Sequence, residues 1–179
     1  MLGLIVTIIL VLALAAIVLG YLWPDKVHVE RDVIIDAPTE KVFGLISDFH
    51  AWEQWSPWAK MDPNAKYEIT GSGVGHRMAW TSEERNVGSG AQEIIELKEP
   101  SRMVTALDFG EMGKAKATFK IEPAGQASKV TWALDTHMRE GVPPLRQPMA
   151  TFFGFFMEKW IGKSYEDGLA DLKKVAEAA

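Results

Sequence analysis

Hydrophobic and polar residues alternate through most of the middle of the chain. Residues 27–35 alternate over nine positions, which predicts a first β-strand. Six further alternating segments follow, and the connections between them contain glycine or proline, as expected of antiparallel strands joined by short turns. These six predicted strands are 67–70, 76–81, 91–97, 103–109, 115–121 and 130–138.

A period of three to four residues replaces the alternation after this region. Residues 149–178 repeat apolar side chains at that spacing and predict one long C-terminal helix. A shorter helix is predicted to begin near Pro38 and to end near Asp48. A second short helix or turn should then carry Phe49, Trp52 and Trp55 until Pro57 ends it.

The alternation gives the sheet one apolar and one polar face. The apolar face must be covered by another element of the fold, which removes it from water. The long C-terminal helix is the element best suited to cover it, because it is the longest amphipathic segment. The sequence therefore predicts an α+β fold in which a curved antiparallel sheet surrounds a long C-terminal helix.

Residues 2–23 form a separate apolar segment, and residues 2–22 carry no charge. At ~1.5 Å per residue a helix of this length spans roughly 33 Å, enough for a bilayer core of ~30 Å. Tyr21 and Trp23 lie where interfacial aromatic residues are expected. The alternative is a cleaved signal peptide, but no Lys or Arg precedes the segment and no small-residue cleavage site follows it.

We therefore predict a membrane anchor at residues 1–24 and one domain at residues 25–179. Lys26 and Arg31 follow the segment and no basic residue precedes it, which places the domain on the cytoplasmic side of a single-pass protein. Only three residues connect the two parts, so the domain is expected to stay within about 10 Å of the membrane.

Charge and composition narrow the possible chemistry. The net charge of −5 disfavours nucleic acid as a partner. The chain lacks cysteine and its four histidines are scattered, so no zinc-site spacing is present and no metal or other cofactor is predicted. Phosphate-binding loops, dinucleotide fingerprints and nucleophile elbows are also missing, so no catalytic motif is found.

The tryptophans indicate where a ligand could bind. Three of the seven tryptophans fall within residues 52–58, and other aromatic residues lie on the predicted inner face of the sheet and on the long helix. Two interpretations remain open: these rings line a cavity of ~300–1,000 Å³ for an apolar ligand, or they pack as a solid core. The predicted cavity residues are Trp52, Trp55, Trp58, His76, Met78, Trp80, Phe109, Phe119, Trp132, Phe152, Phe156 and Trp160.

His76 is the predicted cavity residue with acid–base chemistry. It shares the parity of Met78 and Trp80 and is therefore expected to point inward. It would either contact a ligand or be held by hydrogen bonds to the backbone. The run from Phe152 to Phe156 contains more rings than one helix face can bury, so some of them are expected to protrude toward the membrane or the cavity mouth.

Several short motifs resemble the polyketide cyclase/dehydrase branch of the START-like (SRPBCC) superfamily, over about residues 27–178. This resemblance implies a helix-grip fold with an internal cavity, and it brings no shared catalytic residues. The motifs are Ala37-Pro38 with Val42-Phe43, Trp52-x-x-Trp55-Ser56-Pro57-Trp58, Gly73-Val74-Gly75 before Trp80, Gly88-x-Gly90 before Ile94, Val130-Thr131-Trp132, Met149, and Gly168-Leu169 with Leu172.

Three functions are compatible with these observations. The first is a membrane-anchored domain that binds a hydrophobic small molecule or lipid. The second is an enzyme of the cyclase or dehydratase type, in which His76 moves protons on a hydrophobic substrate. The third is a membrane-tethered interaction protein without catalytic activity. An imidazole that lines an open cavity would favour the enzyme, and a sealed imidazole would argue against it.

Overall fold

The structure is a computed structural model that describes residues 2–178, apart from the side chains of Leu2 and Phe155. The outer limits predicted for the two domains, Met1 and Ala179, lie outside the described residues. The helices are α1 (Leu2–Leu22), α2 (Thr39–Ser47), α3 (Pro57–Met61) and α4 (Gln147–Glu177). The strands are β1 (Lys26–Ile35), β2 (Lys66–Thr70), β3 (Arg77–Thr81), β4 (Ser89–Lys98), β5 (Arg102–Asp108), β6 (Lys114–Ala124) and β7 (Ala127–His137).

The seven strands form one antiparallel sheet in the order β1-β7-β6-β5-β4-β3-β2. Strand β1 pairs with the last strand, β7, and forms one edge of the sheet. Helices α2 and α3 then carry the chain to β2 at the opposite edge. Helix α4 packs on the concave face, mainly against β1. This arrangement is the helix-grip fold that the alternating pattern and the resemblance predicted.

The strand directions give the sheet two distinct ends. At the end we call the anchor end, β1 begins at Lys26, directly after α1, and β7 ends opposite it at His137. The connections β3–β4, β5–β6 and β7–α4 also lie at the anchor end, because neighbouring strands alternate in direction. The β2–β3 connection lies at the far end of the sheet.

Helix α1 is long and apolar enough to cross a membrane, and almost all of it extends away from the domain. Its last turn is attached to the start of α4. A Cβ atom at Gly20 would lie 2.7 Å from the Cβ of Pro148, and the hydroxyl of Tyr21 donates to the carbonyl of Pro144 at 2.7 Å. The guanidinium of Arg139 donates to the carbonyls of Tyr21 and Trp23. These contacts fix the end of α1 against the domain.

Several predicted boundaries differ from those in the structure. Pro57 was expected to end a short helix, but a 3₁₀ helix covers Phe49–Gln54 and Pro57 begins α3. Proline fits the first turn of a helix because no intrahelical acceptor exists there for the N–H that it lacks. Strands β6 and β7 are also longer than predicted, since their pairing continues to the two residues Gly125 and Gln126.

The inward parity predicted for the strands β6 and β7 is confirmed. Phe119 and Ile121 on β6 and Val130 and Trp132 on β7 are buried, whereas Lys116 and Lys120 are exposed. The second half of α4 covers this apolar face with a stripe of side chains that are all buried. The stripe consists of Ile161, Tyr165, Leu169, Leu172 and Ala176.

Candidate functional site

Residues 52–58, which contain three tryptophans and which we call the tryptophan segment, are held rigidly by hydrogen bonds to the end of α2. The indole N–H of Trp52 donates to the carbonyl of Ile46 at 2.8 Å, and that of Trp55 donates to the carbonyl of Leu45 at 3.1 Å. Both carbonyls lie in the last turn of α2, where backbone oxygens lack intrahelical partners. Burying the rings therefore also satisfies the helix end, and the segment forms a fixed wall of the interior.

The centre of the domain is filled by stacked rings. The ring of Trp132 stacks on Tyr165 with centroids 3.8 Å apart and on Phe119 at 4.7 Å, and Trp55 meets it edge-on at 5.7 Å. Trp55, Phe119 and Trp132 are at most 1% exposed. These three predicted cavity residues belong to a solid core, as the alternative interpretation held, because α4 brings the unpredicted partner Tyr165 onto Trp132.

A cavity of about 110 Å³ remains beside this core, at the anchor end of the sheet. It is smaller than the predicted ~300 Å³ or more because the stacked rings occupy the rest of the interior. Most of its wall is apolar, and Tyr67, Asn86 and Trp160 are its exposed members, so they mark its opening. The wall is formed by Trp52, Ser56, Trp58, Tyr67, Met78, Trp80, Asn86, Val87, Gln92, Leu107, Phe109, Trp160 and Ile161.

Trp80 and Phe109 form the wall nearest the loops of the anchor end. Their rings meet edge-on at 5.9 Å, and the indole of Trp80 donates to the carbonyl of Val87 at 3.3 Å. Gly90 makes this position of the indole possible, because a Cβ there would lie 2.7 Å from the ring of Trp80. The indole N–H of Trp80 is therefore satisfied by the backbone of the β3–β4 connection.

Four polar residues contribute to the otherwise apolar wall. Ser56 and Gln92 are buried, whereas Tyr67 and Asn86 are exposed at the opening. Tyr67 is partly covered by the cavity wall, and this partial burial raises the pKa of its phenol; the carboxylates of Asp62 and Glu53 raise it further. The phenol therefore keeps its proton at neutral pH and can donate a hydrogen bond to a ligand at the opening.

A second and more polar space adjoins the cavity. This cleft of about 520 Å³ lies between α3 and the strands β2 and β3, and it shares Trp52, Ser56, Tyr67 and Met78 with the cavity. Glu53, Lys60 and Asp62 lie among its remaining wall residues. The apolar cavity and the charged cleft are therefore neighbours, and the four shared side chains form their common wall.

Six of the predicted cavity residues lie at the cavity wall: Trp52, Trp58, Met78, Trp80, Phe109 and Trp160. Phe152 and Phe156 do not. Phe152 is half-buried outside the cavity, and Phe156 is 70% exposed. Phe156 was predicted to line the cavity because it lies four residues before Trp160, on the same face of the helix. At Phe156, however, that face of α4 is exposed to solvent.

Several wall residues were missed by the sequence analysis. Gln92 and Leu107 could have been found, because they have the inward parity of Ile94 and Thr105 on their strands. Ser56 and Tyr67 gave no such signal, since their positions depend on how α3 and β2 pack across the site.

His76 lies at the far end of the sheet and does not line the cavity. Its ring stacks on Phe49 at 4.6 Å and is 4% exposed. The backbone N–H of Phe49 donates to Nε2 at 3.1 Å, and Nδ1 lies 3.1 Å from the carbonyl of Thr70. Both ring nitrogens are thus engaged by the main chain, so a proton-transfer role on a ligand in the cavity has no geometric support.

Metal-binding groups are not gathered at the site. Within residues 2–178, no three His, Asp or Glu side chains lie close enough together to hold a metal ion.

Residues 26–177 match the sequence profile of the family described as polyketide cyclase/dehydrase and lipid transport. The chain belongs to this family. The match covers the whole helix-grip domain and begins directly after α1. No curated protein matches the chain in sequence.

Several solved structures share this fold. A crystal structure of TTHA0849 from Thermus thermophilus is 20% identical, with a TM-score of 0.60 over 84% of this chain and 97% of that one. A solution structure from Thermobifida fusca is 18% identical, with a TM-score of 0.60 over 83% and 92%. DynU16, a protein in the dynemicin biosynthetic locus, is 13% identical, with a TM-score of 0.52 over 82% of this chain and 46% of that one.

Proposed function

We propose that this protein binds a hydrophobic small molecule or lipid in the cavity beneath α4, and that residues 1–24 tether the binding domain, residues 25–179, to a membrane. The observation that carries the proposal is the apolar cavity at the anchor end, which opens between Trp160 and the β3–β4 connection. A soluble domain gains by burying such side chains, so apolar space that its own side chains leave unfilled is suited to a ligand.

The shape of the site indicates an elongated ligand. The inner cavity holds only a small ring or a short length of acyl or prenyl chain, because its volume is about 110 Å³. Each 100 Å² of apolar ligand surface buried there would contribute roughly 2.5 kcal/mol. The remainder of the ligand would extend past the phenol of Tyr67 into the cleft. A polar headgroup there would meet the charged side chains of Glu53, Lys60 and Asp62.

The family context agrees with this assignment. Lipid transport is part of the family's description, and DynU16 is described as a protein in the dynemicin biosynthetic locus. We place the domain on the cytoplasmic face, following the basic residues Lys26 and Arg31. With His76 sealed by the main chain, binding explains the site better than cyclisation or dehydration does.

A variant that fills the cavity tests the proposal. Leu107→Trp adds a ring into the cavity wall, and Ile95→Trp adds the same ring at an exposed position of the sheet. We expect the full chain, purified in detergent, to take up an apolar fluorescent probe with saturation, and Leu107→Trp to weaken uptake at least about tenfold, or 1.4 kcal/mol. The Ile95→Trp control should bind as the parent does.

Mass spectrometry of an organic extract of the parent protein would identify the ligand that co-purifies. Equal uptake by Leu107→Trp and the parent would contradict binding in this cavity. No uptake and no extracted ligand would favour the third function, a tethered interaction protein.

A further inference from the structure

Five large apolar side chains at the anchor end of the domain are exposed to solvent and have no role in the cavity wall. We call them the anchor-end patch: Met112, Leu145, Met149, Phe153 and Phe156. Leu145 is 95% exposed and Phe156 is 70% exposed. Large apolar side chains exposed at one end of a domain point to an interaction surface.

Two loops and the start of α4 carry the patch. Arg146 forms an ion pair with Glu111 at 2.8 Å, which joins the β7–α4 connection to the β5–β6 connection beside Met112. The methyl group of Met112 lies 4.0 Å from the position of a Cβ at Gly88, so the patch reaches the β3–β4 connection that carries part of the cavity wall.

On α4 the patch follows one helical face. Met149, Phe153, Phe156 and Trp160 are spaced by four, three and four residues, and all four are exposed. The first charged residue of the helix is Glu158, so eleven uncharged residues open α4. An exposed apolar face of this composition is typical of a helix that lies in a membrane interface. The last member of the face, Trp160, also lines the cavity opening.

Helix α1 determines which surface covers the patch. Gly20 packs on Pro148, and Tyr21 donates to the carbonyl of Pro144, so the start of α4 is fixed to the last turn of α1. Where α1 spans a bilayer, that turn lies at the hydrocarbon boundary and Leu145 and Met149 lie beside it. A bilayer is thus the surface nearest to the patch.

We propose that the anchor-end patch inserts into the bilayer interface as a second membrane contact, which holds the cavity opening at the lipid surface. This inference rests on the proposed anchoring by α1. It adds that the domain has one fixed orientation on the membrane and that an apolar ligand exchanges with the bilayer beside Trp160 without crossing bulk water.

Single cysteines can test this directly, since the parent chain contains none. The variants Leu145→Cys and Phe153→Cys place a label in the patch. Val74→Cys places it at the far end of the sheet, on another apolar residue that is 64% exposed. Leu12→Cys places it within α1 and reports whether the anchor inserts. Each full chain carries the environment-sensitive label NBD and is reconstituted into vesicles of phosphatidylcholine and phosphatidylglycerol.

Phosphatidylcholine with brominated acyl chains then serves as the quencher. We expect blue-shifted emission and several times stronger quenching at positions 145 and 153 than at position 74, with the strongest quenching at position 12. Quenching at position 12 together with equal, weak quenching at positions 153 and 74 would overturn the patch contact and leave the anchor intact.

Aqueous iodide distinguishes a protein partner from lipid. Labels at positions 145 and 153 that are shielded from both brominated lipid and iodide would mean that another protein surface covers the patch, and this would overturn the proposal. No quenching at position 12 would overturn the anchor and the patch contact together. Probe uptake in detergent is measured separately, so a failure of ligand binding remains distinguishable from a failure of membrane contact.

Discussion

The two halves of α4 have similar apolar spacing in sequence and opposite environments in the structure. In the second half, Tyr165, Leu169 and Leu172 are at most 2% exposed and cover the sheet. In the first half, Met149, Phe153 and Phe156 project away from it. The difference shows that an apolar stripe on a helix identifies a face that needs a partner, whereas the partner itself depends on what the fold places opposite.

The largest expected effect concerns the stacked rings in the second half. Tyr165→Ala removes the ring that stacks on Trp132, and we expect it to lower the free energy of unfolding by about 3–5 kcal/mol. Phe156→Ala, the matched aromatic change in the first half, should alter it by no more than about 0.5 kcal/mol. Denaturant unfolding of the full chain in detergent measures both. Similar losses would mean that the first half also packs against the domain.

Substitutions of two glycines, one in each half of α4, test the same contrast, and the expected changes in stability are of intermediate size. A Cβ at Gly168 would lie 2.9 Å from Pro57 and 3.0 Å from the ring of Trp132, so Gly168→Ala should cost about 1–3 kcal/mol through overpacking. A Cβ at Gly154 would lie 3.1 Å from the side chains of both Met138 and Val27, which is a looser fit than at Gly168. In Gly154→Ala, the gain of about 1 kcal/mol from the higher helix propensity of alanine should roughly offset the cost of the close contact.

Thermal unfolding of the two alanine variants beside the parent checks this difference. A stabilised Gly168→Ala protein would contradict the close packing of α4 on the tryptophan segment.

The smallest expected effect concerns the ion pair that joins α3 to the second half of α4. The ammonium of Lys60 lies 2.5 Å from the carboxylate of Asp171, and this hydrogen bond holds the pKa of Asp171 below its ordinary value of 3.8 although partial burial opposes the shift. A lowered pKa in the folded state stabilises the protein above the unfolded pKa, and the contribution disappears as the pH falls through the folded pKa.

Asp171→Asn should therefore cost up to about 1 kcal/mol near neutral pH, and the variant and parent should converge as the pH falls below the ordinary pKa of the carboxyl. Denaturation midpoints measured across this range check the sign. Asp167→Asn is the control, because the ion pair of Asp167 with Lys163 lies on the exposed surface of α4 and joins no second element. A stability difference between Asp171→Asn and the parent that grows toward acid pH would contradict the lowered pKa of Asp171.

The sequence by itself determined the strands, the long helices and most of the fold. Alternation along β6 and β7 fixes which side chains face inward, because successive residues of a strand point to opposite faces whatever their surroundings. The same local rule applied to residues 91–109 would also have identified Gln92 and Leu107 as inward. The long apolar stretch at residues 2–22 and the uninterrupted α4 are likewise local features.

Only the tertiary structure decided which inward rings enclose space. Trp80 and Trp132 are the same residue type, and both point inward from their strands. Trp80 nevertheless lines the cavity, whereas Trp132 is covered by Tyr165, which lies 33 positions further along the chain. The position of each ring depends on strand register, sheet curvature and the depth at which α4 is seated. These quantities arise from contacts between distant residues, so a local pattern cannot contain them.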